Sequence, residues 1–551
     1  MAHPSLVIVG AGIGGLTAAI TAAERGLQVT LVEAGDKVGG AAAYSGGQVW
    51  LGANHVARRA GIEDSVTDTL AYVQAAAGRD AASVDARLCE RWIRGAADAA
   101  AWLESVGAIR WELIPDYPDY YHPKLPGSRA AGRYLTGAPF AGAQLGADRA
   151  TLHVSPHFPV GITYAEMFAW GGMSSKSRWD WPLVAERRSQ DVLTFGSGIV
   201  GALYLAVRQR RVRVLLGHAA TALLQREDGS VSGVRCRGPQ GDIALSGTVV
   251  LATGAHDWAR DYSERFTGIP PADGGSVTPD TVRGDAMRLA APLGADVRAL
   301  PAWAAPVLPG YRLTEPAFPG DTGYRACFEH CLPHTFLVDR QGRRFCDDSF
   351  HSEIVARALQ QDARGQPAHL PIFMVWDENH HAKYGLGRSM PGEAYAPGLV
   401  TSAPTLAALA AQLGIDAQGL QATAERFNTM AQSGVDTDFG RGSNLSVRRF
   451  RGDWNHQPNP NLGPVERAPF HGMRIRLLNT GIAAGGVRTD ADARVLRPDG
   501  SVIDGLYVVG EASARAAAGV GYNSGYSLSR AMAFGWIAAG HAADTLEAMA
   551  V

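Results

Sequence analysis

The sequence predicts an α/β fold in which a Rossmann-like nucleotide-binding domain is interrupted by an inserted α+β domain. Three observations carry this prediction. A glycine-rich turn joins a strand to a helix near the start, two later apolar strands each end at a glycine, and a long middle stretch follows its own pattern.

Leu6 to Val9 is a short apolar run suited to a buried parallel strand, Leu16 to Arg25 has helix-forming composition, and Gln28 to Val32 is a second strand ending on Glu33. Between strand and helix, Gly10, Gly12 and Gly15 spell G-x-G-x-x-G, with Gly14 inside the motif, and Glu33 follows 18 residues after the last glycine. Gly10 lets the chain turn, Gly12 lets backbone approach a diphosphate, and Gly15 lets the helix pack close to the strand. The helix N-terminus offers N–H groups and partial positive charge to the phosphates. Glu33 is placed for the adenosine ribose. In this context a bare βαβ unit without ligand is the weaker reading, and a dinucleotide site is expected.

The later strands choose the dinucleotide. Val249 to Ala252 runs into Thr253-Gly254-Ala255, and IDGLYVVGEA (503–512) is a turn and buried strand ending in Gly510-Glu511. Three separated cofactor-contacting segments imply a long, buried ligand, so FAD is expected rather than NAD. A second G-x-G-x-x-G, at Gly196, Gly198 and Gly201, is followed by the strand Val212 to Leu216 and then Gly217-His218-Ala219-Ala220. That strand end has neither an acid for a ribose nor an arginine for a 2′-phosphate. The glycines read as the start of a packed helix within the FAD-binding domain. Electrons are then expected to leave for an external acceptor, a quinone, carrier or oxygen.

With 551 residues, about two to four domains are expected. The composition, 46% apolar and 19% charged, is that of a globular protein. A net charge of −2 advertises no nucleic acid partner. Five cysteines do not make a disulfide framework and argue for reduced thiols. The first strand begins by residue 6, leaving no room for a signal peptide, and no apolar run reaches the roughly 18 residues of a membrane span. A cytoplasmic protein is expected, with contact at the periphery of the inner membrane left open.

Asp64 to Ala77 and Asp80 to Val106 read as helices, and IPDYPDYYHPKLPG (114–127) as an ordered aromatic loop. The chain leaves the nucleotide fold near 254–275. PHTFLVDRQGRRF reads as strand–turn–strand, Thr405 to Leu413 and Asp416 to Ala431 as helices parted at Gly414 with Asp416 as N-cap, and PNPNLGP (458–464) as a return loop. The expected division is 1–270 and 456–551 for the two parts of the FAD-binding domain, with 271–455 as a catalytic, substrate-capping domain.

These residues resemble a known family. GAGIGG with Glu33, AAAYSGGQVW (41–50), FNTMAQSGVDTDFGRG (427–442), PNPNLGPVERAPF (458–470), AAGGVRTDADARVL (483–496) and GLYVVGEASA are similar to the flavoproteins that include 3-oxosteroid 1-dehydrogenases and, more distantly, fumarate reductases. The resemblance covers nearly the whole chain and is least over 140–190 and 300–400. It implies non-covalent FAD and desaturation of a cyclic ketone. The cofactor set expected on these grounds is Gly10, Gly12, Gly14, Gly15, Glu33, Ala34, Gly40, Ser45, Gly46, Gly47, Ala220, Thr253, Gly254, Gly510, Glu511, Ser527 and Leu528. Fumarate reductases grip dicarboxylates with a histidine and threonine before a Met-Gly-Gly. The stretch from Gly481 to Gly486 here has Ile482, Ala483 and Ala484 instead, which disfavours that branch.

Desaturating a ketone needs a hydride acceptor, a base for the α-proton, and donors for the carbonyl oxygen as it gains enolate charge. The resemblance implies Tyr522 and Gly525, in GVGYNSGYSLSRAMAFGW, as those donors. Gly525 matches well. Tyr522 is displaced by one residue from the 1-dehydrogenase position, and Tyr522-x-Ser524-Gly525 looks closer to the 4-dehydrogenases of 5α-steroids. Tyr120 matches the tyrosine that assists proton removal. The base itself departs from the pattern, because Ser352 stands where the family's tyrosine is found. Neighbouring His351, with an unperturbed pKa of about 6.5, is an expected base, alone or in relay with Tyr120. The departure leaves ring size open: a 3-ketosteroid, or a smaller ketone such as a cyclohexanone or oxocyclohexane carboxylate. A flavin reductase or oxidase of another small acid or amine, and a non-catalytic flavin-fold carrier, are the competing readings. Cys327, His330, Cys331 and His334 lack the separated pairs of structural zinc sites, and no metal is expected.

Overall fold

A computed structural model describes residues 5–158, 161–318 and 320–550. β1 (Ser5–Val9) leads through α1 (Ile13–Glu24) into β2 (Gln28–Val32). Helix α1 is small and apolar all round, and every residue from Ile13 to Ala22 is buried. α2 (Val66–Ala76) and α3 (Ala86–Ser105) begin at Ser65 and Asp85, whose side chains accept the N–H of Asp68 and Leu88. The expected continuous helix from Asp80 is therefore shorter. Gly78–Ser83 forms a 3₁₀ turn with a kink at Asp80, and the Asp85 cap sets the true start.

α4 (Phe195–Gln209) carries the second glycine motif. Side chains added at Gly196, Gly198 and Gly201 would meet Ala42, Leu193 and Phe140 respectively, so those glycines serve packing. β3 (Arg213–Leu215) follows, then a three-stranded antiparallel sheet, then β4 (Thr248–Leu251).

The inserted domain is built on β5 (Leu308–Arg312), β6 (Tyr324–Ala326), β7 (Thr335–Val338), β8 (Ile372–Asp377) and β9 (Phe470–Asn479). They are ordered β6-β5-β9-β8-β7, with antiparallel neighbours throughout. α5 (His351–Ala358), α6 (Leu406–Leu413), α7 (Ala417–Ser433) and α8 (Leu445–Arg451) belong to the same region. Asp416 caps α7 as expected, accepting the Gly419 N–H. Leu409, Leu420 and Phe427 pack on Phe336 and Val338 to cover one face of the sheet.

Two sequence expectations change here. Only the first arm of PHTFLVDRQGRRF is a strand, because Asp339 folds the chain back by accepting the Gln341 and Arg343 N–H groups and Arg344 is drawn into buried ion pairs. The return to the first domain also comes later than 456. Strand β9 pairs with β5 and β8 at the centre of the inserted sheet, so the crossing follows Asn479.

After it, β10 (Arg494–Leu496), β11 (Val502–Val508) and α9 (Tyr526–Ala550) complete the nucleotide domain. Its sheet runs β10-β11-β4-β1-β2-β3 and is parallel apart from β10. α1 is thus enclosed between sheet and α9, and Gly535 lets α9 come against the Gly14 backbone. No helix among the described residues is long and apolar enough to cross a membrane.

The inserted domain is held by a buried ionic knot: Arg344 to Asp348 at 2.8 Å and to Asp436 at 2.7 Å, and Arg441 to Asp348 at 3.0 Å. Burial pushes the Asp348 carboxyl up, but the two guanidiniums outweigh it and hold it down at about 2. A carboxylate lowered on folding contributes stability above its unfolded pKa of about 3.9, and that contribution is lost as pH falls through the folded value. Asp348→Asn is expected to destabilise by about 3–5 kcal/mol in urea titrations at pH 6, because it leaves buried cations unmatched. The gap to the parent should narrow between about pH 4 and 2.

Candidate active site

A single cleft gathers Gly10, Gly12, Gly14, Glu33, Ala34, Gly40, Ser45, Gly46, Gly47, Thr253, Gly254, Gly510, Glu511, Ser527 and Leu528. Gly10 turns with φ +107, and a side chain there would run into the Ala252 carbonyl. At Gly12 and Gly254 an added Cβ would meet only one atom each, at 3.9 and 3.8 Å, so backbone lies open to the cleft. The first turns of α1 and α9 both face this space and present partial positive charge. Glu33 accepts N–H bonds from Ala11 and Gly35 at 2.9 Å each, which fixes its carboxylate toward the same space. Glu511 is oriented by the Ala483 N–H at 2.9 Å and by Arg530 at 3.0 Å. A glycine-lined backbone, two helix N-termini and two fixed carboxylates fit a dinucleotide with hydroxyl-bearing sugars.

Tyr120, Tyr522 and Gly525 line the cleft as well. Their placement follows from one buried amide. Asn523 Oδ1 accepts the Tyr120 N–H at 2.9 Å and the Tyr72 hydroxyl at 2.7 Å, while its Nδ2 donates to the Tyr134 hydroxyl at 2.7 Å. Asn444, the N-cap of α8, donates to the Tyr120 carbonyl at 2.9 Å, so the inserted domain holds the same loop. The rings of Tyr120 and Tyr522 meet edge-on at 6.1 Å. Gly525 has φ +86, and a Cβ there would lie 2.6 Å from the Trp50 nitrogen, so only glycine fits.

Burial first, and Tyr120 next, push the Tyr522 hydroxyl far above the usual phenol range, so it remains a proton donor. Burial also raises Tyr120, while the Arg451 guanidinium and the Ser524 hydroxyl pull it back in part. Arg451, Tyr117, Phe158, Tyr164, Phe328 and Phe450 complete this part of the wall and were not singled out from sequence. Tyr117 sits in the aromatic loop that the sequence does expose. Arg451 ends the run VRRFR, where it stands close to two other arginines.

Three expected residues stand elsewhere. Gly15 lies under α1, where a side chain would press into the Gly10 carbonyl, consistent with its packing role. Ala220 is on the outer antiparallel sheet and does not line the cleft, because its strand pairs with Val231–Gly238 instead of turning toward the nucleotide. His351 opens α5 behind the wall, with its ring 5.5 Å from Tyr120 and 5.8 Å from Tyr522. It is buried, and burial, then Arg451 and His330, lower its pKa well below 6.5. The expected imidazole of ordinary pKa facing substrate is corrected to a neutral ring packed behind Tyr120.

His330 and His334 contact separate carbonyls, of Asp348 and Pro464, and Cys327 meets Met374, so the four residues of that cluster do not converge. Among the described residues, Glu378, His381 and His471 bring metal-type donors together, with Glu378 Oε2 3.2 Å from His381 Nδ1 and 3.5 Å from His471 Nε2. None of them lines the cleft.

Residues 5–528 match the family described as FAD binding domain. The chain is 31% identical to a 3-oxosteroid 1-dehydrogenase of Mycobacterium tuberculosis, covering 98% of each. It is 32% identical to a 4-oxocyclohexanecarboxylate 2-dehydrogenase of Sinomonas cyclohexanicum, over 97% of this chain and 92% of that one. A solved 3-ketosteroid Δ1-dehydrogenase from Sterolibacterium denitrificans superposes with a TM-score of 0.88 at 28% identity, covering 98% and 99% of the two chains. Gly12 has ordinary negative φ, so valine there is tolerated by the backbone but fills the open space. Gly12→Val should fold, by circular dichroism, yet purify with little flavin absorbance.

Proposed function

Because the chain belongs to the FAD binding domain family, we propose that it is an FAD-dependent dehydrogenase that converts a saturated cyclic ketone, a 3-ketosteroid or a smaller alicyclic ketone, to its α,β-unsaturated form. The observation that carries the reading is the convergence of Tyr522, Gly525 and Tyr120 on the glycine-lined cleft.

Bound FAD supplies the two-electron acceptor for the β-hydrogen. The residues of the chain do the rest. The Tyr522 hydroxyl and the Gly525 N–H hold the ketone oxygen and favour the charge that grows on it as the α-carbon loses its proton. Tyr120 takes that proton. Its hydroxyl is disfavoured as a base by burial, and the adjacent Arg451 charge offsets part of that cost. His351 backs the Tyr120 ring, and its neutral imidazole keeps a second positive charge out of the site. The two electrons then pass to an external acceptor, a quinone, carrier or oxygen. The buried, aromatic wall excludes water from the enolising centre.

Anaerobic addition of a ketone from a panel of 3-ketosteroids and cyclohexanones should bleach the yellow protein, and a panel that bleaches nothing overturns the reading. Tyr522→Phe should retain FAD and lower turnover by about 10²–10³-fold. Since Tyr120 acts unprotonated and its pKa is raised, turnover should climb as pH rises above neutral. Tyr120→Phe should lose that climb together with α-proton exchange of bound ketone, followed by deuterium incorporation.

A further inference from the structure

Resting on the reading above, we propose that Arg451 forms an anion subsite in the substrate cleft, so that the preferred ketone carries a carboxylate. Arg451 is the last residue of α8 and is only 9% exposed. An arginine is effectively always charged, and burying a lone charge is costly unless a counter-charge meets it. Most of the other buried guanidiniums obey this rule. Arg133 meets Asp64 and Asp119, Arg344 meets Asp348 and Asp436, Arg441 meets Asp348, and Arg530 meets Glu511.

Arg451 has no such partner among the described residues. Its side chain reaches the Cys331 sulfur at 4.0 Å and lies over the rings of Phe328 and Phe450 at 4.6 and 5.7 Å. Burial pushes the Cys331 thiol up to about 11, so the sulfur is no anion. Arg515, also buried without a carboxylate, hydrogen-bonds the Gly521 carbonyl and does not line the cleft. Arg451 does, and it is the one basic residue that does so among those described. The acids that share the lining, Glu33, Asp285 and Glu511, make no ion pair with it.

The missing counter-charge is therefore assigned to the ligand. Arginine's planar fork suits a carboxylate in two-point contact. Arg451 lies near enough to Tyr120 and Tyr522 to act on the charge of both hydroxyls. One compact skeleton can thus place its oxo group on Tyr522 and Gly525 and its carboxylate on Arg451, the pattern of a small alicyclic oxo acid. The phenyl faces of Phe328 and Phe450, 4.6 and 5.7 Å from the guanidinium carbon, flank it.

The test compares 4-oxocyclohexane-1-carboxylate with its methyl ester and with cyclohexanone in anaerobic flavin bleaching. The FAD-loaded parent and Arg451→Met, checked for flavin content, are used alongside Arg451→Lys. The parent should favour the acid over the ester by about 10–100-fold in kcat/KM, as expected for a hydrogen-bonded charge pair. Arg451→Met should erase the preference, and Arg451→Lys should restore part of it. The ratio separates substrate anchoring from any effect of Arg451 on Tyr120, which slows both substrates alike. A turnover-independent arm titrates 4-hydroxybenzoate and its methyl ester against the flavin spectrum, with the same preference expected. Equal handling of acid and ester by the parent, or a preference that survives Arg451→Met, overturns the subsite while leaving cyclic-ketone desaturation standing. Failure of every ketone to bleach, with 4-hydroxybenzoate still favoured over its ester, instead overturns the desaturase reading and keeps the subsite.

Discussion

The arrangement of the cleft depends on the side-chain amide of Asn523. An amide has two acceptor positions and two donors, and here all are used: Tyr72 and the Tyr120 N–H on the oxygen, Tyr134 and the Ser524 carbonyl on the nitrogen. In a site from which water is excluded, each of these bonds is strong and each alternative orientation leaves buried groups unpaired. The turn carrying Tyr522 and Gly525 therefore has one position relative to the loop carrying Tyr120. One side chain thus sets segments far apart in the chain, Tyr120 and Asn523 being separated by 403 positions.

Around that fixed point the electrostatics are arranged by burial. Desolvation keeps Tyr522 protonated as a donor, keeps His351 neutral, and opposes ionisation of Tyr120. On the two phenols Arg451 acts in the opposite direction, easing release of a proton, and it offers a landing point for negative charge. Apolar walls strengthen both effects, because a low local dielectric magnifies every charge that remains.

Much of this is legible in the amino-acid sequence alone. The first βαβ unit needs only local rules, and α1, β2 and the Asp416 cap fall within a few residues of their expected bounds. The glycines of the cofactor cradle are readable because close backbone approach admits no side chain, and most of the expected set lines one cleft. What escapes a sequence reading is non-local. The membership of Phe470–Asn479 in the inserted sheet depends on partners far earlier in the chain, Leu308–Gly310 and Ile372–Asp377 among them, which no window shows. His351 reads as an ordinary imidazole until its burial is known, and Ala220 reads as a cradle residue until its strand's pairing is known. Arg451 is hidden among neighbouring arginines because helical phase, not residue type, decides which one turns inward.

The parallel pairing of β4 with β11 joins Val249–Leu251 to Leu506–Val508, and α9 then closes over α1. During synthesis the early strands must wait, with one edge bare, until Leu506–Val508 have been made. Contacts of such long sequence separation are slow to form and expose sticky edges meanwhile. Flavin capture accordingly waits on Leu506–Val508 and on the Gly510 and Glu511 that follow them into the cleft lining.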